Sequence, residues 1–202
     1  MISIDMLNDV EIKLKNNNKI LFYRDSLVLQ ELLKLIRLQN HRTLVLWAFM
    51  TVEKIVDKLK IKFPNEKRID NAIELCKQWA QGEVKMPVAK KAILEVHQIA
   101  KEIDDAVDIA LIHAIGQGCA VVHVETHAVG IVVYELSAIV IKFGIKNCAE
   151  LIDEKLSQYI SDLKLCIKKA KEPNLKWSNF LLDDTKANKE MLLYNKLLLK
   201  EG

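Results

Sequence analysis

Residues that break helices are scarce in this chain. Its 202 residues include only six glycines and three prolines. A β-sandwich or β-barrel needs turn residues at short intervals, so this scarcity favours long helices. About half of the residues are apolar (50%), which is enough for one sizeable core. The sequence therefore predicts a single, all-α (mainly α) domain.

From Ser26 onward, apolar residues recur every three or four positions, which is the spacing of an amphipathic helix. Capping residues and the breakers Gly82, Pro87 and Gly144 set the expected helix ends. Helices are predicted over about 26–39, 42–60, 65–81 and 87–103, from 104 or 105 onward, over about 126–143 and 149–171, and from 184 or 185 onward. We expect a bundle or array of seven to nine helices.

The first 25 residues fit the helical pattern least well. Two alternating runs within residues 10–24 flank Asn16, Asn17 and Asn18, and asparagine tolerates the left-handed turn of a short hairpin. We expect a small β-hairpin here, with a loosely ordered arm as the alternative. The chain then divides into this N-terminal arm or hairpin (1–25), a helical domain (26–172), and a C-terminal loop and helix (173–202) packed on the same domain.

Charge and cysteine usage exclude several classes of protein. The net charge is +3, and Lys and Arg are scattered beside Asp and Glu, which does not fit a nucleic-acid binder. Four cysteines (Cys76, Cys119, Cys148 and Cys166) lie at wide, irregular spacings, so we expect buried apolar thiols and neither a zinc site nor disulfides. The longest uncharged stretch, 109–124, is short for a membrane span. No continuous apolar signal-peptide core opens the chain, so a cytoplasmic location is expected.

Residues 113–134, HAIGQGCAVVHVETHAVGIVVY, carry three of the five histidines and three of the six glycines in a mostly apolar stretch. Polar groups in such a stretch need partners from the fold or from a ligand. One interpretation is a continuous helix with His123 and His127 on one face. The alternative, which we favour, is a break before a new helix capped by Thr126, because glycines and β-branched residues weaken a long helix here.

A metal site is one hypothesis for this stretch, since His123 and His127 are four residues apart. The string H-V-E-T-H is not the H-E-x-x-H of zinc proteases, and further ligands would have to come from elsewhere. The candidates are His41, His97, Glu53, Glu74 and Glu135. Buried histidines with hydrogen-bond partners are commoner than ligands, so we expect no metal.

The preferred hypothesis for this stretch is a buried polar network of His113, Gln117, His123, Thr126 and His127 that joins two helices across the break. Small residues beside them (Ala114, Gly116, Gly118, Ala120, Ala128 and Gly130) are typical of close helix–helix packing. Their pattern does not match a complete dinucleotide-binding fingerprint. A nucleophile elbow and a P-loop are also missing from the sequence, so no catalytic residue and no cofactor is expected.

Three runs together resemble a known family: HRTLVLWAFMTVEKIV (41–56), the segment from Pro64 to Met86, and AIGQGCAVVHVETHAVGIVVYELSAIV (114–140). They look like the Imm-5-like immunity proteins of bacterial polymorphic-toxin systems. The candidate functional or structural residues, from this resemblance and from the polar stretch, are Trp47, Arg68, Trp79, His113, Gly116, Gln117, His123, Thr126, His127, Gly130 and Tyr134. The helical stripes place Trp47 and Trp79 in the core.

The resemblance implies a cytoplasmic bacterial protein that binds a cognate toxin and neutralises it by occlusion, without catalysis. The implied partner is the toxin, with no nucleic acid and no membrane, and a homodimer is left open. The alternative function is a metal-binding helical protein or metal-dependent enzyme centred on His123 and His127.

Overall fold

The computed structural model describes the backbone of residues 2–201 and the side chains of residues 2–199. Within that range the chain forms ten α-helices and no β-strand, which confirms the all-α prediction. The helices are α1 (Asn8–Lys15), α2 (Gln30–Arg37), α3 (His41–Lys62), α4 (Lys67–Ala80), α5 (Met86–Ile99), α6 (Ala106–Ala120), α7 (His127–Phe143), α8 (Ala149–Lys169), α9 (Asn179–Leu182) and α10 (Lys189–Glu201). All but the single-turn α9 have seven or more residues, so nine helices form the array.

Several helix ends lie where capping residues predict them. Asp105 accepts hydrogen bonds from the first backbone N–H groups of α6, at 2.9 and 3.0 Å. Gly82 and Gly144 follow α4 and α7 with φ of +80° and +76°, a conformation that favours glycine. The α3 cap is Asn40, whose side chain accepts from the Thr43 N–H at 3.0 Å. The break between α6 and α7 is present, as the preferred interpretation predicted.

The predicted N-terminal hairpin is wrong. Asn17 does adopt a positive φ of 57°, but it closes helix α1 and does not join two strands. The backbone N–H of Asn18 bonds the Lys13 carbonyl at 3.0 Å, the bond that ends a helix in a Schellman motif. The following segment packs into the core instead of pairing, because the Leu21 N–H donates to the Ser137 hydroxyl at 3.0 Å.

The C-terminal helix also begins later than predicted. Helix α10 starts at Lys189, not at 184 or 185, because Asn188 is the cap. The Asn188 side-chain oxygen accepts from the Glu190 N–H at 2.8 Å, and its amide donates to the carbonyls of Ile36 and Gln39 at 3.0 and 2.8 Å. One side chain thus starts α10 and satisfies two carbonyls at the end of α2.

An ion pair joins the two ends of the described chain. Arg24 binds the fully buried carboxylate of Glu190 through three hydrogen bonds, at 2.9, 3.0 and 3.1 Å. The same guanidinium donates to the Thr126 carbonyl at 3.2 Å, beside the start of α7. These contacts hold the C-terminal helix against the rest of the described protein. The division of the chain into segments at 25 and 172 stays a prediction.

Helix α6 lies at the centre of the array and packs against α3, α4, α5 and α7. A helix that is apolar on all sides is expected in such a position. Gly118 allows the approach of α3, since a Cβ atom there would collide with the Val52 side chain. The four cysteines are free and buried, as predicted. No helix in the described part of the chain is long and apolar enough to cross a bilayer.

A buried polar chain connects α3, α7 and α8. Glu135 is only 2% exposed, and its carboxylate accepts from the Tyr159 hydroxyl at 2.5 Å and pairs with Lys155 at 2.6 Å. The Trp47 indole N–H donates to the Tyr159 carbonyl at 3.1 Å. Burial raises the pKa of Tyr159 well above its usual value, so the phenol stays protonated and keeps donating to the carboxylate.

We expect Glu135→Ala to lower the free energy of unfolding by about 3 kcal/mol or more, because it leaves the Lys155 ammonium buried without a counter-charge. The matched control is Lys58→Ala. Lys58 lies 3.6 Å from the same carboxylate, but its side chain is 62% exposed, so its loss should cost less than about 1 kcal/mol. Urea unfolding followed by circular dichroism measures both values. Equal losses for the two variants would contradict the structural role of this ion pair.

Candidate functional site

A half-exposed polar cluster lies on the outer side of α5, α6 and α7. It consists of His97 from α5, His113 and Gln117 from α6, and His127 and Tyr134 from α7. We call these five side chains the histidine face. Four of them belong to the residues predicted from sequence to be functional or structural. They lie apart in sequence, and the close packing of three helices brings them together.

His97 and His113 meet through their Nδ1 atoms, 3.0 Å apart. Their ring centroids are 5.3 Å apart, which is the nitrogen separation plus the radii of two imidazole rings. The two nitrogens therefore point at each other, with one proton shared between them as N–H···N. The geometry is that of a hydrogen bond.

His127 and Gln117 form a second pair, with the His127 Nδ1 atom 2.7 Å from the Gln117 Oε1 atom. A carboxamide oxygen only accepts, so the imidazole donates from Nδ1. This bond leaves the Nε2 atom of neutral His127 unprotonated. Gln117 thus fixes which nitrogen of His127 is basic.

Two glycines make room for these pairs. A Cβ atom at Gly116 would collide with the His97 ring, and one at Gly130 would lie 2.5 Å from the Gln117 Oε1 atom. Neither glycine needs an unusual backbone conformation, so space and not flexibility explains them. The small residues predicted to allow close helix packing therefore also admit the polar side chains.

The electrostatic surroundings keep the three imidazoles of the histidine face neutral. Burial lowers the pKa of His97, His113 and His127 below the ordinary value, and neighbouring basic side chains lower it further. Lys19 acts on His113, Arg24 and His123 act on His127, and the other two histidines act on His97. Burial also raises the pKa of Tyr134, whose ring lies 5.1 Å from that of His113.

His123 lies outside the histidine face. It is in the break between α6 and α7, exposed, with its ring stacked 6.2 Å from that of Trp79. Trp79 is buried and also contacts Phe180 of α9. His41, at the start of α3, also contacts the segment between α6 and α7. Its Nε2 atom lies 2.6 Å from the Val121 carbonyl oxygen. Burial lowers the pKa of His41.

The remaining candidate residues lie elsewhere. Trp47 is in the core against Tyr159, as the helical stripe predicts. Arg68 joins the start of α4 to the end of α5 through Glu66 and Glu102, and it lowers the pKa of both carboxyls. Thr126 precedes α7 without capping it through its side chain.

The cluster differs from the buried network expected from sequence. The histidine face is half-exposed, His97 takes part in it, and His123 and the Thr126 side chain do not. For the metal hypothesis, the rings of His123 and His127 face different partners. Among the described residues, no three His, Cys, Asp or Glu side chains lie where they would share a metal ion. That hypothesis therefore gains no support from the geometry.

The Imm-5 like putative immunity protein family matches residues 34–162, well over half of the chain. The chain belongs to this family. No curated protein and no solved structure gives a significant match. The matched range contains all five side chains of the histidine face and both glycines that make room for them. Lys19, Arg24 and the tail with Glu190 lie outside it.

Sequence reasoning missed two parts of the site. His97 was considered only as an additional metal ligand, because nothing in its local pattern shows which helix α5 crosses. Lys19 lies in the segment predicted as a hairpin, and that prediction did not place its charge near His113. One available signal was Gly116, whose missing side chain leaves space for a ring from another helix.

We expect the melting temperature to fall as the pH is lowered from about 7.5 to about 5.5. The pKa values of His41, His97, His113 and His127 are all lowered in the folded protein, so the unfolded chain takes up protons first, below about pH 6.5. Stability is then complete above that pH and is lost below it. Circular dichroism melts at a series of pH values test this. A melting temperature that stays constant over this range would contradict it.

Substitution of the two histidines around the break should have unequal effects. We expect His127→Ala to cost about 1–3 kcal/mol, because it leaves the half-buried Gln117 amide without its partner. His123→Ala removes only an exposed stacking contact with Trp79, worth about 1 kcal/mol or less. Thermal melts of the two variants at about pH 7.5 give the comparison. A larger loss for His123→Ala would show that the roles are assigned the wrong way round.

Proposed function

We propose that this protein is the immunity partner of a bacterial toxin and neutralises it in the cytoplasm by binding and covering it. Membership of the immunity protein family supports this. We further propose that the histidine face is the surface that binds the toxin. The single observation that carries this second step is the convergence of residues predicted as functional on one half-exposed patch.

The histidine face is not needed to complete the core. The apolar core residues of α6 and α7 are buried, while the five side chains of the histidine face are only partly buried. Partial burial of a polar side chain costs desolvation free energy, which a fully exposed polar side chain does not lose. A surface used for recognition explains why such groups are placed together.

The surroundings of the face have the mixed character of protein interfaces. Leu94 lies one helical turn before His97 on α5 and is 59% exposed. Tyr134 adds an aromatic ring with a polar end, a residue type enriched at binding hot spots. A partner that contacts Leu94 and the rings of the histidine face would bury surface area at a low cost in side-chain entropy, because aromatic and imidazole rings have few rotatable bonds.

Occlusion implies that protection is stoichiometric. A protein that inactivates a toxin by covering it protects only up to one toxin molecule for each binding site. An enzyme that modified the toxin would protect at a small fraction of that ratio. Titration of toxin activity against the amount of this protein therefore separates the two mechanisms.

The test uses the cognate toxin domain, sought among the products of neighbouring genes, with growth protection and the dissociation constant as readouts. We expect Leu94→Asp to weaken binding at least tenfold, about 1.4 kcal/mol, because it places a charge in the apolar part of the contact. The matched control is Leu38→Asp. Leu38 is 64% exposed at the end of α2, away from α5, so this variant should bind within about twofold of the parent.

Equal weakening by both substitutions, or by neither, would reject the histidine face as the binding surface. Protection at a small fraction of the toxin concentration would reject occlusion. Circular dichroism melts of both variants show whether a loss of binding reflects a loss of folding.

A further inference from the structure

The three histidines of the histidine face each keep one ring nitrogen free. The Nδ1 atoms of His97 and His113 bind each other, and that of His127 binds Gln117. Among the described residues, none of the three Nε2 atoms has a hydrogen-bond partner, and none is among the buried unpartnered atoms. Three ring nitrogens are therefore in reach of solvent or of a bound group.

At neutral pH these nitrogens divide into donors and acceptors. His127 donates from Nδ1, so its Nε2 atom carries a lone pair. In the His97–His113 pair, the ring that donates from Nδ1 likewise has a basic Nε2 atom, and the other ring has an Nε2–H group. Two proton-accepting sites and one donor are thus present, and protonation would convert both acceptors into donors.

Every side chain whose charge shifts the pKa of these histidines is a basic one. Lys19 from the N-terminal segment acts on His113, and Arg24 and His123 act on His127. Within the cluster, His113 and His127 act on His97. Arg24 has a counter-charge in Glu190 of α10, to which it donates three hydrogen bonds. Tyr134 of α7 completes the face as a neutral group, since burial raises its pKa.

A basic site with cationic neighbours and no carboxylate of its own is complementary to a partner's anion. We propose that the histidine face recognises a carboxylate-bearing segment of the toxin and takes up protons as it binds. This rests on the proposed function, and it adds the chemistry of the partner. The protons come from solvent and bind the free Nε2 atoms, which then donate hydrogen bonds to the carboxylate oxygens.

A carboxylate is favoured over a cationic or an apolar partner segment for a physical reason. A cationic segment would add its repulsion to the burial and the positive charges that already lower the pKa of these imidazoles. An apolar segment would bury ring nitrogens that have no other partner, which costs free energy. An anion accepts hydrogen bonds from these nitrogens once they are protonated, and it also offsets the positive charge of Lys19 and Arg24.

The first experiment uses the free protein with a polyglutamate peptide as the probe and a polylysine peptide as the sign control. Histidine ring resonances are followed by NMR at about pH 6 and about pH 7.5. We expect the His97, His113 and His127 signals to shift with polyglutamate, with at least fivefold tighter binding at the lower pH. Polylysine should leave them unchanged. His113→Gln should weaken polyglutamate binding at least fivefold, and the matched control His123→Gln should retain it.

Three results would overturn the inference: binding that does not depend on pH, binding unaffected by His113→Gln, or inorganic phosphate that binds as tightly as the peptide. A melt of each variant confirms that it is folded. In a second experiment, calorimetry of the toxin complex in two buffers of different ionisation enthalpy measures proton uptake directly. Net uptake of a proton near neutral pH is expected, and an absence of uptake counts against the proposal.

The outcome separates this inference from the proposed function. If the toxin binds with the Leu94→Asp sensitivity described above but without proton uptake, the surface is correct and the carboxylate chemistry is wrong. If polyglutamate binds the histidine face while the toxin is indifferent to Leu94→Asp, the acid-binding chemistry stands and the toxin-binding role of this surface fails.

Discussion

Helix α6 packs against four other helices, and the distance at which these neighbours pack against it determines the rest of the structure. Gly118 admits Val52 of α3, and Gly116 admits the ring of His97 from α5. A methyl group at either position would push a neighbouring side chain aside, and interiors packed at crystal density absorb such changes poorly. Helix α6 therefore has its smallest residues where the neighbouring helices present large side chains. This complementarity sets the distances between the helices of the array.

The same close packing accounts for the polar surface. His113 and Gln117 project from the outer side of α6, and they find partners on α5 and α7 because both helices approach closely. An enclosed carboxylate, that of Glu135, lies on another side of α7, where Tyr159 and Lys155 bind it. Glu135 thus joins helices within the core, whereas the histidine face remains partly exposed to solvent, where a partner can reach it.

Much of the helical framework follows from short-range sequence signals. The stripes of apolar residues, the cap at Asp105 and the glycine after α7 depend on residues close in sequence, so they can be predicted without knowing the fold. Asn17 shows the limit, because a left-handed residue closes a helix as readily as it turns a hairpin. The pairing of His97 with His113 and the exposure of His123 depend on how helices cross and on the direction of the break, which no local pattern encodes.

The pair of Arg24 and Glu190 has a consequence for how the protein opens. It closes a loop between residues 166 positions apart, and one partner is fully buried. Separating them would leave a carboxylate buried without its counter-charge, so helix α10 and the segment around Arg24 cannot come apart at the low cost usual for chain ends. These two segments are thus part of one cooperative unit, and their amide hydrogens should exchange with solvent together.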